Sequence, residues 1–334
     1  DWSSDVCSSD LWTTKKRLPL AAGVLLAALT LADLLNPAQG FSQLENRYLA
    51  QRPAWTLSRI LSGEYARAYE LYVDDQFLWR ENWMEAKAWT EALLGRTENN
   101  GVVFGLDGWL FKKRIALTEL YEKNLEAVRR FAIHAGGLPV AFLLAPSSDA
   151  VLTDKVPEGL YNLDQVALIA KAYDRLSLAG IAGLDVLAVL RQSQEPYLYY
   201  RTDHHWTTQG AYTAYLAWCG ARGITPVQPD PQGAHVVKEF SGTLAAAAKR
   251  QQNLLDEILY YDMPHASLWL DGVRQESLYD LSRTEGRDKY GLFLHNNPGR
   301  LTLTSTHPQA EEKTLLVFKD SYANAFLPFL TAHV

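Results

Sequence analysis

This sequence has little cysteine, little methionine and no surplus of positive charge. It holds two cysteines and two methionines in 334 residues, and its formal net charge is -6. Two cysteines allow at most one internal disulfide bond, which excludes a small fold held together by several disulfides. Because no stripe of lysine and arginine interrupts the negative balance, we expect no nucleic-acid partner. With 48% hydrophobic and 21% charged residues, the composition is typical of a globular protein.

The first eleven residues, DWSSDVCSSDL, look like a translated sequencing-library adapter. We therefore interpret 1–11 as an adapter-like artefact and exclude it from the fold prediction. This exclusion removes Cys7 and leaves Cys219, so that no internal disulfide is predicted. Cys219 lies among apolar residues in AYLAWCGA, which favours a buried and unreactive thiol.

A long apolar run follows a group of cations near the N-terminus. Lys15 to Arg17 precede the run Leu18 to Leu35, which only Thr30 and Asp33 interrupt. About 18 apolar residues are at the short end of what spans a bilayer, and flanking cations favour the cytoplasmic side. We therefore predict a cytoplasmic tip and a single-pass signal-anchor helix over 12–40, with the rest extracytoplasmic at the cell membrane. A cleaved signal peptide, cut within PAQG, is the alternative and would export the same domain.

The chain after this run divides by its periodicity. Residues 41–98 have apolar side chains at helical spacing, which predicts a membrane-proximal helical stalk. From 99 to 334, short apolar strands alternate with amphipathic helices, which predicts an α/β domain with a mostly parallel sheet. The stretch 225–271 has weaker periodicity and more turn residues, so we expect an insertion there.

Within the α/β domain the sequence predicts a hairpin, four helices and four strands. Asn-Gly and Asp-Gly turns in NNGVVFGLDGWLF are the hairpin signal. The predicted helices are Ile115–Ala135, Leu163–Ala179, Thr207–Arg222 and one that follows Ser321. The predicted strands are LPVAFLLAP, Ile181–Val189, Tyr197–Tyr200 and Leu315–Phe318.

A serine follows the last of these strands and precedes a helix. In LLVFKDSYANAF the apolar run ends at Phe318, and Ser321 stands at the turn. Open α/β folds place their sites at this edge of the sheet, and a helix N-terminus stabilises an oxyanion. Serine is also a good helix cap, so Ser321 by itself does not establish a catalytic site.

The stretch RTDHHWTTQGAY supplies what a nucleophilic serine needs. Such a serine requires a base to take its proton and a third group to orient that base. In an extended loop, side chains two residues apart lie on the same side, so Asp203 is expected to reach the near ring nitrogen of His205. We expect His204 to point the other way, into a structural hydrogen bond.

TDHHWTTQGAY together with FKDSYANAFLPFL resembles the DHHW protein family, which is similar to the SGNH-hydrolase-like proteins of the alginate O-acetylation machinery. The resemblance also takes in ENRYLAQRPAW, GVVFGLDGWLF, FSGTL and DKYGLFLHNNPG, and it covers nearly the whole chain from Lys15 onward. It implies a three-layer α/β/α domain with Ser321 as nucleophile and Asp203 and His205 as the acid-base pair. The relatives carry glycine where this chain has Lys319, a departure that bears on the oxyanion turn.

The resemblance also implies an activity and partners. It implies an O-acetyltransferase or acetylesterase that acts on a cell-surface polysaccharide, with a membrane-bound O-acyltransferase as acyl supplier. For a serine-dependent reaction of this kind we expect no cofactor and no metal. Candidate oxyanion or substrate contacts are Asn297, Lys319 and Asn324, although Asn297 also fits an ordinary turn before Pro298. Because the family continues with a further strand, we expect the natural chain to be longer at its C-terminus.

Two other classes of protein remain open from the sequence. One is a metal-dependent phosphoesterase, because such enzymes also contain an Asp-His-His string. They need further carboxylates to hold two metals, and we find no Asp-x-Asp after an upstream strand. The other is a non-catalytic carbohydrate-binding or scaffold component of a polysaccharide acetylation or export apparatus.

Overall fold

The computed structural model describes residues 8–42, 45, 47–249 and 255–334, without the side chains of 8–18 and 34. The chain divides into two compact units, Asp1–Ala86 and Lys87–Val334. Seven of the eleven adapter-like residues, Cys7 among them, lie outside the described residues.

The first unit is mainly helical. Its elements are α1 (Ser8–Leu35), β1 (Phe41–Ser42), β2 (Arg47–Tyr48), α2 (Leu57–Leu61) and α3 (Glu64–Gln76), and α4 (Arg80–Leu93) begins in it. The β1 and β2 strands pair antiparallel. Arg47 donates two hydrogen bonds to the Asp75 carboxylate, of 2.6 and 2.9 Å. These bonds lower the pKa of Asp75 to about 2, against the effect of burial.

The predicted transmembrane helix is not supported by the structure. Helix α1 includes Leu18–Leu35, but within the described part of the chain no helix has the length and apolar character to cross a membrane.

The second unit alternates short strands and helices. Its first half contains β3 (Glu98–Asn99), β4 (Val102–Phe104), β5 (Leu110–Lys112), α5 (Glu119–His134), β6 (Ala141–Leu143), α6 (Ser148–Val151), α7 (Gln165–Ser177), β7 (Ala182–Leu184) and α8 (Leu187–Gln192). Its second half contains α9 (Thr208–Arg222), β8 (Ala234–Phe240), α10 (Thr243–Ala248), β9 (Asp256–Tyr261), β10 (Ala266–Leu270), β11 (Val273–Arg274), β12 (Leu301–Ser305) and α11 (Ala323–Leu330). Three of the predicted helices correspond to α5, α7 and α9, and the helix predicted after Ser321 corresponds to α11.

The predicted hairpin is present and gains a third strand. Strand β4 lies between β3 and β5, antiparallel to both. The β3–β4 turn consists of Asn100 and Gly101, both with positive φ, because a two-residue hairpin turn of this type requires the left-handed region at both positions.

The prediction of a mostly parallel sheet is wrong. Among the described residues the strands form five small sheets, and only the β6–β7 pair is parallel. Strands β8 and β9 pair antiparallel, as do β11, β10 and β12 in that spatial order. The connection from β10 to β11 is too short for a crossover, and such connections allow only antiparallel pairing.

Three predicted strands also differ from the structure. Ile181–Val189 divides into β7 and the start of α8. Tyr197–Tyr200 contributes a single bridge, between Tyr199 and Trp206. Leu315–Phe318 has no strand pairing, and its side chains are exposed, Phe318 by 75%. A strand needs a paired neighbour, and an apolar run does not by itself specify one.

The core of the second unit surrounds α9. Trp206, Tyr199, Tyr200 and Tyr215 are almost completely buried, and each such side chain stabilises the fold by about 1.5–3 kcal/mol. Gly210 allows the helix to approach this core, because a Cβ there would lie 2.2 Å from the Leu198 carbonyl oxygen. The close approach fixes the start of α9, and the Asp203–Trp206 loop immediately precedes it.

Candidate active site

Hydrogen bonds hold the Asp203–Trp206 loop at both ends. Thr207 caps α9, since its hydroxyl oxygen accepts from the Gly210 N–H at 3.2 Å. On the other side, the buried Asp256 carboxylate accepts from the Thr202 N–H at 2.7 Å and from the Arg201 N–H at 3.0 Å. The loop between these anchors therefore has a defined path.

Asp203 is buried and accepts four hydrogen bonds. Its Oδ1 accepts from the His205 N–H at 3.0 Å and from His205 Nδ1 at 2.6 Å. Its Oδ2 accepts from the Thr243 N–H at 2.7 Å and the Thr243 hydroxyl at 2.8 Å. Burial acts to raise the pKa of Asp203, but the hydrogen bond and charge of His205 hold it well below its usual range. Its ionisation thus stabilises the fold above about pH 4, and this contribution is lost as the pH falls through the lower folded-state pKa.

His205 connects this carboxylate to the predicted nucleophile. Its Nε2 lies 2.7 Å from Ser321 Oγ, while its Nδ1 bonds Asp203. The Tyr290 ring stacks on the imidazole, with centroids 3.8 Å apart and an angle of 8° between the planes. The structure thus brings Asp203, His205 and Ser321 into the hydrogen-bonded order of an acid-base-nucleophile triad.

His204 lies beside His205 rather than opposite it. The two ring centroids are 3.9 Å apart and the planes are tilted by 37°, so the prediction that His204 points the other way is wrong. The predicted structural hydrogen bond is present, from His204 Nδ1 to Thr243 Oγ1 at 2.7 Å. Burial lowers the pKa of His204 to about 4, although Asp203 acts to raise it.

The Ser321 turn is held by the loop across from it. Trp206 Nε1 donates to the Tyr322 carbonyl at 2.9 Å, and the Tyr322 hydroxyl donates to the His204 carbonyl. The Tyr290 hydroxyl donates to the Ser321 carbonyl at 3.1 Å. These bonds fix the turn directly against the Asp203–Trp206 loop.

Asp203, His204 and His205 also bring potential metal ligands together. One ligand atom from each lies within 4.8 Å of the others. Atoms that bind one zinc ion at tetrahedral angles are roughly 3.3 Å apart, however, whereas His205 Nδ1 and Asp203 Oδ1 are 2.6 Å apart. Both histidine Nδ1 atoms are occupied by hydrogen bonds, so this arrangement fits proton transfer better than ion binding.

A family model described as the SGNH hydrolase-like domain of acetyltransferase AlgX matches residues 102–304. The match covers more than half of the chain and includes Asp203 and His205, while Ser321 lies beyond it. The chain belongs to this AlgX-type family. The recognition of a DHHW protein similar to the alginate O-acetylation proteins is therefore confirmed.

Curated relatives of this AlgX-type chain are probable alginate O-acetylases AlgJ. The protein from Pseudomonas aeruginosa is 28% identical over 165 residues, 46% of this chain and 41% of the relative. The protein from Pseudomonas syringae pv. tomato is 26% identical over 163 residues, 46% of this chain and 42% of the relative. The chain thus spans less than half the length of these relatives.

Two solved structures share the fold of this AlgX-type chain. A DHHW family protein from Eubacterium siraeum has a TM-score of 0.55 at 23% identity and covers 70% of this chain and 80% of its own. Bacillus cereus PatB1 with a sulfonyl adduct has a TM-score of 0.50 at 14% identity, with coverages of 70% and 82%. These likenesses support an SGNH-like α/β fold.

The predicted oxyanion or substrate contacts form one cluster. Lys319 Nζ donates to Asn297 Oδ1 at 3.0 Å and to Asn324 Oδ1 at 2.5 Å. Asn324 is buried and donates both amide hydrogens inside the cluster, to Asn296 O and Asn297 Oδ1. Burial lowers the pKa of Lys319, although Asp320 acts to raise it. Asn324 therefore supports the cluster and has no amide hydrogen left for substrate. Asn297 donates one amide hydrogen inside the cluster, to Asn296 Oδ1 at 3.0 Å, and its other amide hydrogen is available.

The sequence prediction missed three residues around the candidate active site. Thr243 bonds Asp203 and His204, Tyr290 stacks on His205, and Gly242 lies so near Asp203 that a Cβ there would be 2.3 Å from the Asp203 Cβ. All three lie in stretches that carried the family resemblance, FSGTL and DKYGLFLHNNPG. Their residue types are common in loops, so the sequence by itself gives them no chemical role.

Proposed function

We propose that this protein transfers acetyl groups to or from a cell-surface polysaccharide through an acyl-Ser321 intermediate. The observation that carries the proposal is the continuous hydrogen-bonded chain Asp203–His205–Ser321, of 2.6 and 2.7 Å. Membership of the AlgX-type acetyltransferase family and likeness to probable alginate O-acetylases support the acyl group and the class of acceptor.

The contacts support a two-step reaction. Ser321 Oγ attacks the acetyl carbonyl carbon while His205 Nε2 takes its proton, and the leaving group of the donor departs with that proton. An acceptor hydroxyl or water then loses its proton to His205 and attacks the acyl carbon. The Ser321 oxygen leaves, and His205 returns the proton to it.

One backbone amide is available to stabilise the oxyanion. The N–H groups of Tyr322, Ala323 and Asn324 already donate within the turn, to Asp320 or to Ser321. Among the described groups the Ser321 N–H has no such partner, and it lies just before α11. We assign the Ser321 N–H as a hydrogen-bond donor to the oxyanion, and the remaining amide hydrogen of Asn297 is the second candidate donor.

Formation of the acyl-enzyme tests this proposal. Wild-type protein mixed with 4-nitrophenyl acetate should release a burst of nitrophenol, and intact and peptide mass spectrometry should locate the acetyl group on Ser321. Ser321→Ala should abolish both signals, whereas the exposed control Ser177→Ala should retain them. Equal nitrophenol release from wild type and Ser321→Ala, with no acetylated peptide, would favour the carbohydrate-binding alternative.

Export to the extracytoplasmic side is part of the same proposal. It rests on the cations Lys15 to Arg17 ahead of the apolar run, and it would place the site near a membrane-bound O-acyltransferase partner. Protease added to spheroplasts should then digest the domain. Full protection of the domain in intact spheroplasts, with digestion only after lysis, would contradict export.

A further inference from the structure

Two imidazole rings are bound to one carboxylate. Asp203 Oδ1 accepts directly from His205 Nδ1 at 2.6 Å. Asp203 Oδ2 accepts from the Thr243 hydroxyl at 2.8 Å, and that hydroxyl oxygen lies 2.7 Å from His204 Nδ1. The triad therefore uses one ring, while the second ring is held through Thr243.

The contacts of Thr243 fix which nitrogen of His204 carries hydrogen. A hydroxyl has one hydrogen, and an ionised carboxylate can only accept, so Thr243 donates to Asp203. The Thr243 oxygen must then accept from His204 Nδ1–H. Because burial lowers the pKa of His204 to about 4, the ring is neutral at pH 7, and its Nε2 has a free lone pair.

The two rings lie side by side with Nδ1 as the nitrogen near Asp203. His204 Nδ1 is 3.6 Å and His205 Nδ1 is 2.6 Å from Asp203 Oδ1, and the two ring centroids are 3.9 Å apart. His205 Nε2 contacts Ser321 Oγ, and its side chain is 7% exposed. The His204 side chain is 35% exposed, and within the described part of the chain no group bonds its Nε2.

We propose that His204 Nε2 accepts a hydrogen bond from a second hydroxyl of the acceptor, next to the hydroxyl that His205 deprotonates. The site would thereby select acceptors with adjacent hydroxyl groups, a vicinal diol as on a pyranose ring. This inference rests on the proposed acyl-Ser321 function and names its acceptor class.

His204 makes and breaks no covalent bond in this reaction. The reacting hydroxyl gives its proton to His205, and its oxygen forms a bond to the acyl carbon. The bond between the acyl carbon and Ser321 Oγ then breaks, and His205 returns the proton to Ser321 Oγ. The neighbouring hydroxyl only donates to His204, which orients the acceptor for attack. A site that bonds a substrate hydroxyl discriminates against analogues without it, and at a partly exposed position we expect about tenfold to a hundredfold.

Acyl transfer to small matched acceptors tests the inference. With 4-nitrophenyl acetate as donor, the measured quantity is the ratio of acceptor ester to free acetate, which normalises for the amount of acyl-enzyme formed. For wild type we expect this ratio to be about tenfold or more higher with 1,2-cyclohexanediol than with 1,4-cyclohexanediol. The acceptor 2-methoxycyclohexanol keeps the second oxygen but cannot donate from it, and it should behave like the 1,4-diol.

Variants separate the lone pair from the packing of the ring. His204→Phe keeps an aromatic ring beside His205 but removes Nε2, together with the Nδ1 bond to Thr243. The ratio of ester to acetate with the 1,2-diol should then fall to about that with the 1,4-diol. His235→Ala removes an exposed histidine on β8 that pairs with Asp262, and it should retain the preference.

The outcomes distinguish failure of this inference from failure of the proposed acyl-Ser321 function. Absence of any acetyl adduct on wild-type Ser321 overturns both. An adduct with equal ratios for the two diols and 2-methoxycyclohexanol overturns the inference alone, and this comparison uses only the wild-type protein. Retention of the 1,2-diol preference in folded His204→Phe also overturns it.

Discussion

The loop that carries Asp203 and His205 and the segment that leads to Ser321 are held in different ways. The loop is buried and fixed from outside itself, by Asp256 on one side and Thr243 on another. The segment Leu315–Phe318 has no strand pairing, and its apolar side chains are exposed. The nucleophile is therefore positioned mainly by the acid-base loop, and changes at the loop should cost more than changes in the leading segment.

The largest effect should come from breaking the contact between the two regions. Ser321→Ala and His205→Ala should each lower acetyl-ester turnover by about a thousandfold or more, because base and nucleophile act as a unit. The double variant should be little worse than either single one. Initial rates with 4-nitrophenyl acetate measure this, and multiplicative losses in the double variant would show that the two residues act separately.

The next largest effect should come from the support of the acid-base loop. Gly242→Ala would place a Cβ 2.3 Å from the Asp203 Cβ and 2.6 Å from its Oδ2. We expect a loss of about 1–3 kcal/mol in the free energy of unfolding, as for other overpacked sites, together with lower turnover. Urea denaturation followed by circular dichroism measures the loss.

Gly220→Ala is the matched control for this substitution. Gly220 is exposed on α9 and has nothing within 4 Å of an added Cβ, so alanine should leave stability unchanged or raise it by up to about 1 kcal/mol. Equal unfolding midpoints for Gly242→Ala and Gly220→Ala would contradict the close approach at Asp203.

A smaller effect should follow from removing one bond between the regions. Trp206→Phe deletes the Nε1 hydrogen bond to the Tyr322 carbonyl, which contributes about 1 kcal/mol. We expect acylation to slow by about tenfold, as measured by the nitrophenol burst rate, because the Ser321 turn loses part of its support. Trp218→Phe changes a buried tryptophan away from this turn and should leave the burst rate unchanged. A normal burst rate in Trp206→Phe would show that the other contacts suffice.

The smallest effect should come from the exposed segment. Leu316→Ser replaces a side chain that is 72% exposed, so the free energy of unfolding should change by less than about 0.5 kcal/mol. Leu327→Ser, six residues past Ser321 and buried in α11, should cost about 2 kcal/mol or more. Similar urea midpoints for the two variants would contradict the claim that the leading segment contributes less to stability than α11.

The sequence predicted the pairing of Asp203 with His205 because their spacing is local. Side chains two residues apart share a side in extended chain, and the observed 2.6 Å contact agrees. Residues 201–205 form bends rather than extended chain, however, so the short spacing and not the alternation accounts for this contact. The alternation rule failed for His204, because Thr243, 39 residues further on, determines where the ring lies.

The sheet could not be predicted in the same way. Whether Leu315–Phe318 pairs depends on a neighbouring strand, and periodicity does not say which segment is adjacent. The hairpin at Asn100 and Gly101 was predictable because its turn residues by themselves specify the backbone. Helices α5, α7 and α9 were likewise predictable, since their periodicity is local.

The stacking around His205 has a consequence for the kinetic order of the reaction. Tyr290 and His204 lie 3.8 and 3.9 Å from the imidazole, and two rings at these distances must occupy opposite faces. The base therefore cannot swing between a donor position and an acceptor position. The leaving group must therefore depart before the acceptor hydroxyl can occupy the same position beside Nε2. Plots of reciprocal rate against reciprocal donor concentration, at several acceptor concentrations, should be parallel, as for a ping-pong enzyme.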